Sequence, residues 1–242
     1  MTTAGKPTID ALLERHADLG KDPFPEKLPV LDHLLLGIVQ EGIAPSRGLE
    51  AYKSLVNAFC NFNEMRVSHS REIVDLLEGV PDVETKARRI LGVLQFVFET
   101  TYSFDLESMR KKPLKQAQKQ LSKISGATQF AVAAAVGRAL GGPLVPIDAP
   151  VHSLLVDLRL CEPGDKADAI CAALAAETSE ETLQALGVIL GELAPDSKRK
   201  NAVAAALAAT KTESVNGKAK PAPKPADKPA EKSKKAVLKP KK

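Results

Sequence analysis

Ile124-Ser125-Gly126-Ala127-Thr128-Gln129-Phe130 separates two runs of helical periodicity. The run before it, 114–124, carries Ala117 and Leu121, and the run after it, 129–140, is rich in Ala. A short Gly-containing turn between two helices is a helix-hairpin-helix arrangement. It aims backbone N–H groups, and the positive end of the second helix, at one phosphate oxygen. The contact is charge-assisted and reads no base. Ser125, Gly126, Ala127, Thr128 and Gln129 are therefore candidate phosphate contacts. Twenty-two residues after Gly126, past the break at Gly141-Gly142-Pro143, comes Ile147-Asp148, a carboxylate just ahead of another short helical run.

Working outward, apolar residues recur at helical spacing almost everywhere. Leu31, Leu34, Leu35 and Ile38 mark a helix over 31–40, and Tyr52, Leu55, Val56 and Phe59 one over 49–59. Ile73, Val74 and Leu77 mark 70–78; Ala87, Ile90, Leu91, Leu94 and Val97 mark 84–98. Further helices are expected over 149–159, 166–177, 180–193 and 197–209, with Asp165 and Ser179 as N-caps of the second and third of these. Alternating strand patterns and a fixed internal repeat are both absent. The fold class is all-α, with ten or eleven helices.

The 242 residues carry a net charge of +4, unevenly placed. Residues 211–242 hold eleven Lys against three acids, +8, which leaves the preceding 210 residues at −4. That segment is nearly all Lys, Ala and Pro, too poor in apolar side chains to offset about 1–2 kcal/mol of chain entropy per residue. A disordered basic C-terminal tail is expected, with lysines such as Lys234 and Lys235 free to follow a polyanion; the alternative is a solubilising tail. Its composition resembles that of linker-histone tails. Three cysteines make no disulfide framework, the first residues hold no apolar leader, and no window is long and apolar enough to span a membrane. A soluble intracellular protein is expected, in the cytoplasm or nucleoid of a bacterium or the nucleus of a eukaryote. Cys60, beside Phe59 and Phe62, reads as a core filler, and the isolated histidines predict no metal site.

Together these pieces resemble the helix-hairpin-helix DNA glycosylase superfamily that contains endonuclease III and adenine glycosylase. The family has a Leu-Pro-Gly-Val-Gly-Arg-Lys-like hairpin and, at the spacing from Gly126 to Asp148, a Val-Asp-Thr-like segment. Glu84-Thr85-Lys86-Ala87-Arg88-Arg89-Ile90 resembles its Asn-x-Lys-Ala-x-x-Ile segment, and Leu34-Leu35-Leu36-Gly37-Ile38-Val39-Gln40 its Leu-Leu-Ser-x-Gln segment. The likeness spans about residues 29–160. It implies a two-lobed helical body: residues 1–28 packing with C-terminal helices, a hairpin domain over 29–160, helices over 161–210 completing the second lobe, and the tail over 211–242.

The resemblance also implies a DNA-binding protein of base-excision repair, acting as a monomer mainly on the phosphate backbone. It makes Asp148 the catalytic carboxylate, adds Lys86 to the DNA contacts, and makes Gln40 a side chain that fills the emptied base stack. The Schiff-base Lys of bifunctional members falls at Phe130, which has no lone pair, so a monofunctional glycosylase is expected unless Lys119 or Lys123 substitutes. A catalytically inactive DNA-binding relative, with Asp148 only a helix cap, is the alternative; a helical scaffold with an incidental tail is a third. Cys161 and Cys171 alone cannot supply four ligands, so no iron–sulfur cluster is expected. Thr128 stands where the family has a second Gly, and a β-branched residue is ill suited to φ > 0 or to very close phosphate approach, so a weakened hairpin is expected.

Overall fold

The computed structural model describes residues 5–20, 24, 28–203 and 205. Among them are eleven α-helices, one 3-10 turn and no strand: α1 (Gly5–Arg15), α2 (Val30–Gln40), α3 (Pro45–Asn57), α4 (Phe62–Val67), α5 (Ser70–Leu76), α6 (Val83–Thr101), the 3-10 turn (Glu107–Lys111), α7 (Leu114–Leu121), α8 (Gln129–Leu140), α9 (Ala149–Asp157), α10 (Ala167–Glu177) and α11 (Glu180–Leu193). Residues 197–203 are helical too, and the rest of the helix expected to 209 lies almost wholly outside the described residues, as does the whole of 211–242. No described helix is long and apolar enough to cross a membrane.

Helices 129–140 and 180–193 begin and end where periodicity put them. Ser179 caps α11, accepting from the Thr182 N–H at 3.3 Å. Asp165 does not cap α10; its Oδ2 takes the Glu162 N–H at 2.9 Å instead, and Lys166 stands at the cap. The helix expected at 49 starts a turn earlier because Pro45 opens it, its missing N–H costing nothing at a first-turn position. Three elements gave too weak an apolar period to be predicted: α1, the 3-10 turn and α4, which Asn61 begins by accepting the Glu64 N–H at 2.9 Å.

Helix α2 is the axis of the first core. All its residues are buried, and Leu31, Leu34, Leu35, Leu36 and Ile38 are sealed completely. Burial on this scale is worth roughly 1.5–3 kcal/mol per side chain. It packs across α8 so closely that a Cβ on Gly37 would lie 2.7 Å from the Ala131 Cα. Two of its polar groups are matched from other elements: Tyr52 donates to Asp32 Oδ1 at 2.8 Å, and Glu107 of the 3-10 turn accepts the first helical N–H, that of Val30, at 2.7 Å. A second core joins Ile9 and Leu12 of α1 to Val145, Leu154, Leu155 and the apolar faces of α10 and α11. The residues from Val145 to Leu160 therefore pack with the C-terminal helices, and the first core ends at Ala139.

His33 of α2 is 5% exposed, and its Nδ1 has no hydrogen-bond partner. Burial, then the nearby Arg138 and Arg110 guanidinium groups, press its pKa down to about 4, with Glu107 opposing. Below pH 6.5 the unfolded chain binds a proton that the folded imidazole refuses, so this contribution is complete above 6.5 and lost as pH falls towards 4. The full loss is about 3 kcal/mol. Asp32, whose carboxyl is pushed up by burial, works in the opposite direction. In urea titrations at pH 7 and pH 4.5, His33→Gln is expected to lose markedly less stability on acidification than the wild type; equal losses would show that the folded His33 accepts the proton.

Candidate nucleic-acid interface and carboxylate site

The hairpin lies on helix α6. Gly126 has φ +89°, and a Cβ there would sit 2.4 Å from the Arg89 carbonyl oxygen, so only Gly lets the turn settle on this helix. One helical turn on, the Ser125 carbonyl lies over Gly92, where an added Cβ would meet its oxygen at an ordinary 3.6 Å. Thr128 departs from expectation. Its backbone is extended, at φ −92°, and its hydroxyl accepts the Ala131 N–H at 3.0 Å as N-cap of α8. No positive φ is required at this position, so the backbone strain expected of Thr128 is absent; β-branching suits an extended cap. The N–H groups of Gln129 and Phe130 are the first two of α8 and point out of its positive end.

Asp148 is half-buried and N-caps α9, its Oδ1 accepting from Val151 N–H at 2.9 Å. Its Oδ2 accepts from the N–H of Gly42 at 2.9 Å, in the turn after α2. That turn is held from its other side by Lys86 of α6, whose ammonium donates to the carbonyls of Val39, at 2.9 Å, and Glu41. Burial pulls the Lys86 pKa down to about 8, against the Glu41, Asp82 and Asp148 carboxylates that draw it back up. Arg89, a turn along the same helix, pairs with Glu41 at 3.5 Å. One face of α6 thus positions both the hairpin and the carboxylate.

Two expected DNA contacts are corrected by this arrangement. Lys86 and Gln40 are each 2% exposed. Lys86 is committed to the end of α2, and the Gln40 side chain, packed against Gly48, accepts from Arg138 at 2.8 Å. Neither reaches the surface, since each satisfies polar groups that the close packing of α2 would otherwise strand. Lys86→Met keeps the length and deletes the charge, leaving two carbonyls without their donor. A cost of about 2–4 kcal/mol is expected, read as a shift of the urea midpoint at constant slope; a shift worth under 0.5 kcal/mol would deny Lys86 this role.

No protein-family model and no curated protein matches the sequence. Solved structures do match the fold. An endonuclease III trapped as a covalent intermediate with DNA superposes with a TM-score of 0.58 at 17% identity, covering 78% of this chain and 85% of that one. The 3-methyladenine DNA glycosylase MagIII of H. pylori, bound to 1,N6-ethenoadenine, gives 0.58 at 15% identity, over 80% of this chain and 98% of its own. A thermostable thymine-DNA glycosylase gives 0.51 at 11%, over 74% and 84%. The chain has the fold of the helix-hairpin-helix DNA glycosylases.

On this glycosylase fold Phe130 is buried at 6% and lines a cavity of about 70 Å³ with Gln118, Gln129, Ile147, Asp168 and Cys171. That holds about two water molecules, not a ring with its substituents. Lys119 and Lys123 are exposed on the preceding helix and its last turn. Cys161 and Cys171 are buried thiols, raised chiefly by burial, and Cys171 donates to the Val145 carbonyl at 3.3 Å. Cys60 is not a core filler: it is exposed, and the Glu64 carboxylate beside it raises its thiol. Of the aromatic neighbours that suggested burial, Phe62 packs tilted against Phe104, with ring centroids 5.9 Å apart. No group of three metal-ligating side chains occurs among the described residues. His152 Nε2 meets the Asp165 carbonyl at 3.2 Å. Lys234 and Lys235 lie outside the described residues. Sequence reasoning missed Gly42, which had a signal, a glycine two residues past Gln40; Arg89, which with Arg88 reads from sequence as a base able to touch DNA, is instead paired with Glu41.

Proposed function

We propose that the chain is a DNA-binding protein of base-excision repair, a monomeric monofunctional DNA N-glycosylase that uses Asp148 and no Schiff-base lysine. The observation that carries this is the carboxylate of Asp148 held between the N–H groups of Val151 and Gly42, on a glycosylase fold, at the spacing from Gly126 that the family uses. A carboxylate with one donor on each oxygen keeps a lone pair on each. It can stabilise positive charge on a sugar as its bond to the base breaks, and orient the attacking water. DNA is held by its backbone, at the exposed start of α8 and by the lysines of 211–242.

The test is single-turnover base release from duplexes carrying uracil, an oxidised pyrimidine, an alkylated purine or mismatched adenine, scored with and without alkali. Release seen only after alkali, and lost in Asp148→Asn, is the expected result; strand cleavage without alkali would bring in another amine. A second reading, a DNA-binding relative without turnover, is favoured by one feature, the small cavity that Phe130 leaves where a catalytic lysine would stand. It requires no release on any substrate.

A further inference from the structure

Between Glu107 and Asp148 the chain has no acid at all, yet it carries seven bases: Arg110, Lys111, Lys112, Lys115, Lys119, Lys123 and Arg138. This stands in a 210-residue body whose net charge is −4. The structure sorts these bases. Arg110 donates to the carbonyls of Leu28 and Ala139, Lys112 to Gln120 at 2.6 Å, and Arg138 to Gln40. Lys111 is exposed in the 3-10 turn; Lys115, Lys119 and Lys123 are exposed as well, and none of the ion pairs among the described residues uses them. They recur every four residues along α7 and its last turn, about 6 Å apart on one side of the helix. Like charges at this spacing repel, and α7 has no carboxylate to relieve them, whereas Arg71 in α5 faces Asp75 at 3.2 Å.

This row runs into the hairpin. Lys123 is two residues before Ser125, and Gln118, on the same side of α7 as Lys115 and Lys119, shares the small cavity with Gln129, Phe130 and Ile147, next to Asp148. Asp168, a carboxylate lining this cavity, is engaged by Gln129 Nε2 at 3.2 Å.

We propose that Lys115, Lys119 and Lys123 form a track for the phosphodiester backbone of one DNA strand, leading it along α7 into the hairpin and past Asp148. It rests on the DNA-binding part of the proposed function and not on turnover. Three side chains each neutralising one phosphate contribute about 2.7 to the slope of log affinity against log salt. The track therefore loses about 40-fold in affinity over a fourfold rise in salt, a loss additional to that from the C-terminal lysines.

The experiment measures duplex binding by the full chain from 50 to 200 mM salt. It compares wild type with Lys115→Gln/Lys119→Gln/Lys123→Gln, with the same three changed to Arg, and with a control that removes the same charge elsewhere, Lys53→Gln/Arg71→Gln/Lys198→Gln. The expected result is a slope smaller by two to three in the α7 Gln variant, with the Arg variant and the control near wild type. Equal weakening in the α7 variant and the control overturns the track, because net charge alone then acts, and so does an unchanged slope. A variant that keeps duplex affinity but loses binding to phosphatidylserine vesicles overturns it in favour of a membrane surface. Wild type that fails to bind duplex at 50 mM salt overturns the DNA-binding reading itself.

Discussion

Replacing Asp148 by Asn is expected to lower single-turnover base release by about 10²–10⁴-fold while most of the protein stays folded, the range that loss of a positioned catalytic carboxylate produces. Asn caps helices about as well as Asp, so the bond from Val151 N–H survives on the amide oxygen. The other terminus becomes an NH₂ facing the N–H of Gly42, two donors where one accepted. One unsatisfied donor pair costs about 1–3 kcal/mol, against a stability of about 5–15 kcal/mol for a domain of this kind.

Asp148→Ala separates cap from chemistry. It removes both acceptors, so it is expected to cost at least as much stability as Asn and no more activity, because catalysis is already gone. Urea midpoints and release rates measured on the three proteins decide this. If Asn and Ala differ in stability but both release base at the wild-type rate, Asp148 is only a cap holding α9 to the turn at Gly42, and another group carries the chemistry. Binding affinity for intact duplex is expected to change little in either variant, since no phosphate contact is assigned to this carboxylate.

Much of this arrangement is legible in the sequence because it follows from local chemistry. The period of three to four apolar residues places α2, α6, α8 and α11, and Ser179 announces the start of α11. The order of four short segments and the interval from Gly126 to Asp148 suffice for the fold. What sequence does not carry is which polar side chain turns inward. Lys86 and Gln40 are hydrophilic residues in matching motifs, and the family resemblance puts them on the DNA; in three dimensions the tight crossing at Gly37 buries α2 to its last residue, and the carbonyls left at its end need Lys86. Cys60 errs the other way, an apolar neighbourhood in sequence that opens to solvent because α4 begins directly after it. The acid-free interval from Glu107 to Asp148 was readable from the letters, but its meaning depends on knowing which of its bases are already engaged.

The hairpin's seat on α6 gives the largest expected loss of stability from a single added methyl group. Gly126→Ala asks for a side chain at φ +89°, which costs about 1–2 kcal/mol in backbone strain alone. Its Cβ would also stand 2.4 Å from the carbonyl oxygen of Arg89, a backbone atom fixed by the hydrogen bonding of a 19-residue helix. That atom cannot rotate away as a side chain could, so the hairpin must lift or α6 must bend. Together the two effects are expected to cost about 3–5 kcal/mol, measured as a lowered urea midpoint. Gly164→Ala, where an added Cβ meets nothing within 4 Å, is the matched control and is expected to be neutral or slightly stabilising. If the hairpin lifts, the N–H groups of Gln129 and Phe130 lose their aim, so duplex affinity should fall even where the protein is folded. Loss of stability below 1 kcal/mol would mean that the turn is not seated on α6, and with it would go the claim that one helix sets both the hairpin and Asp148.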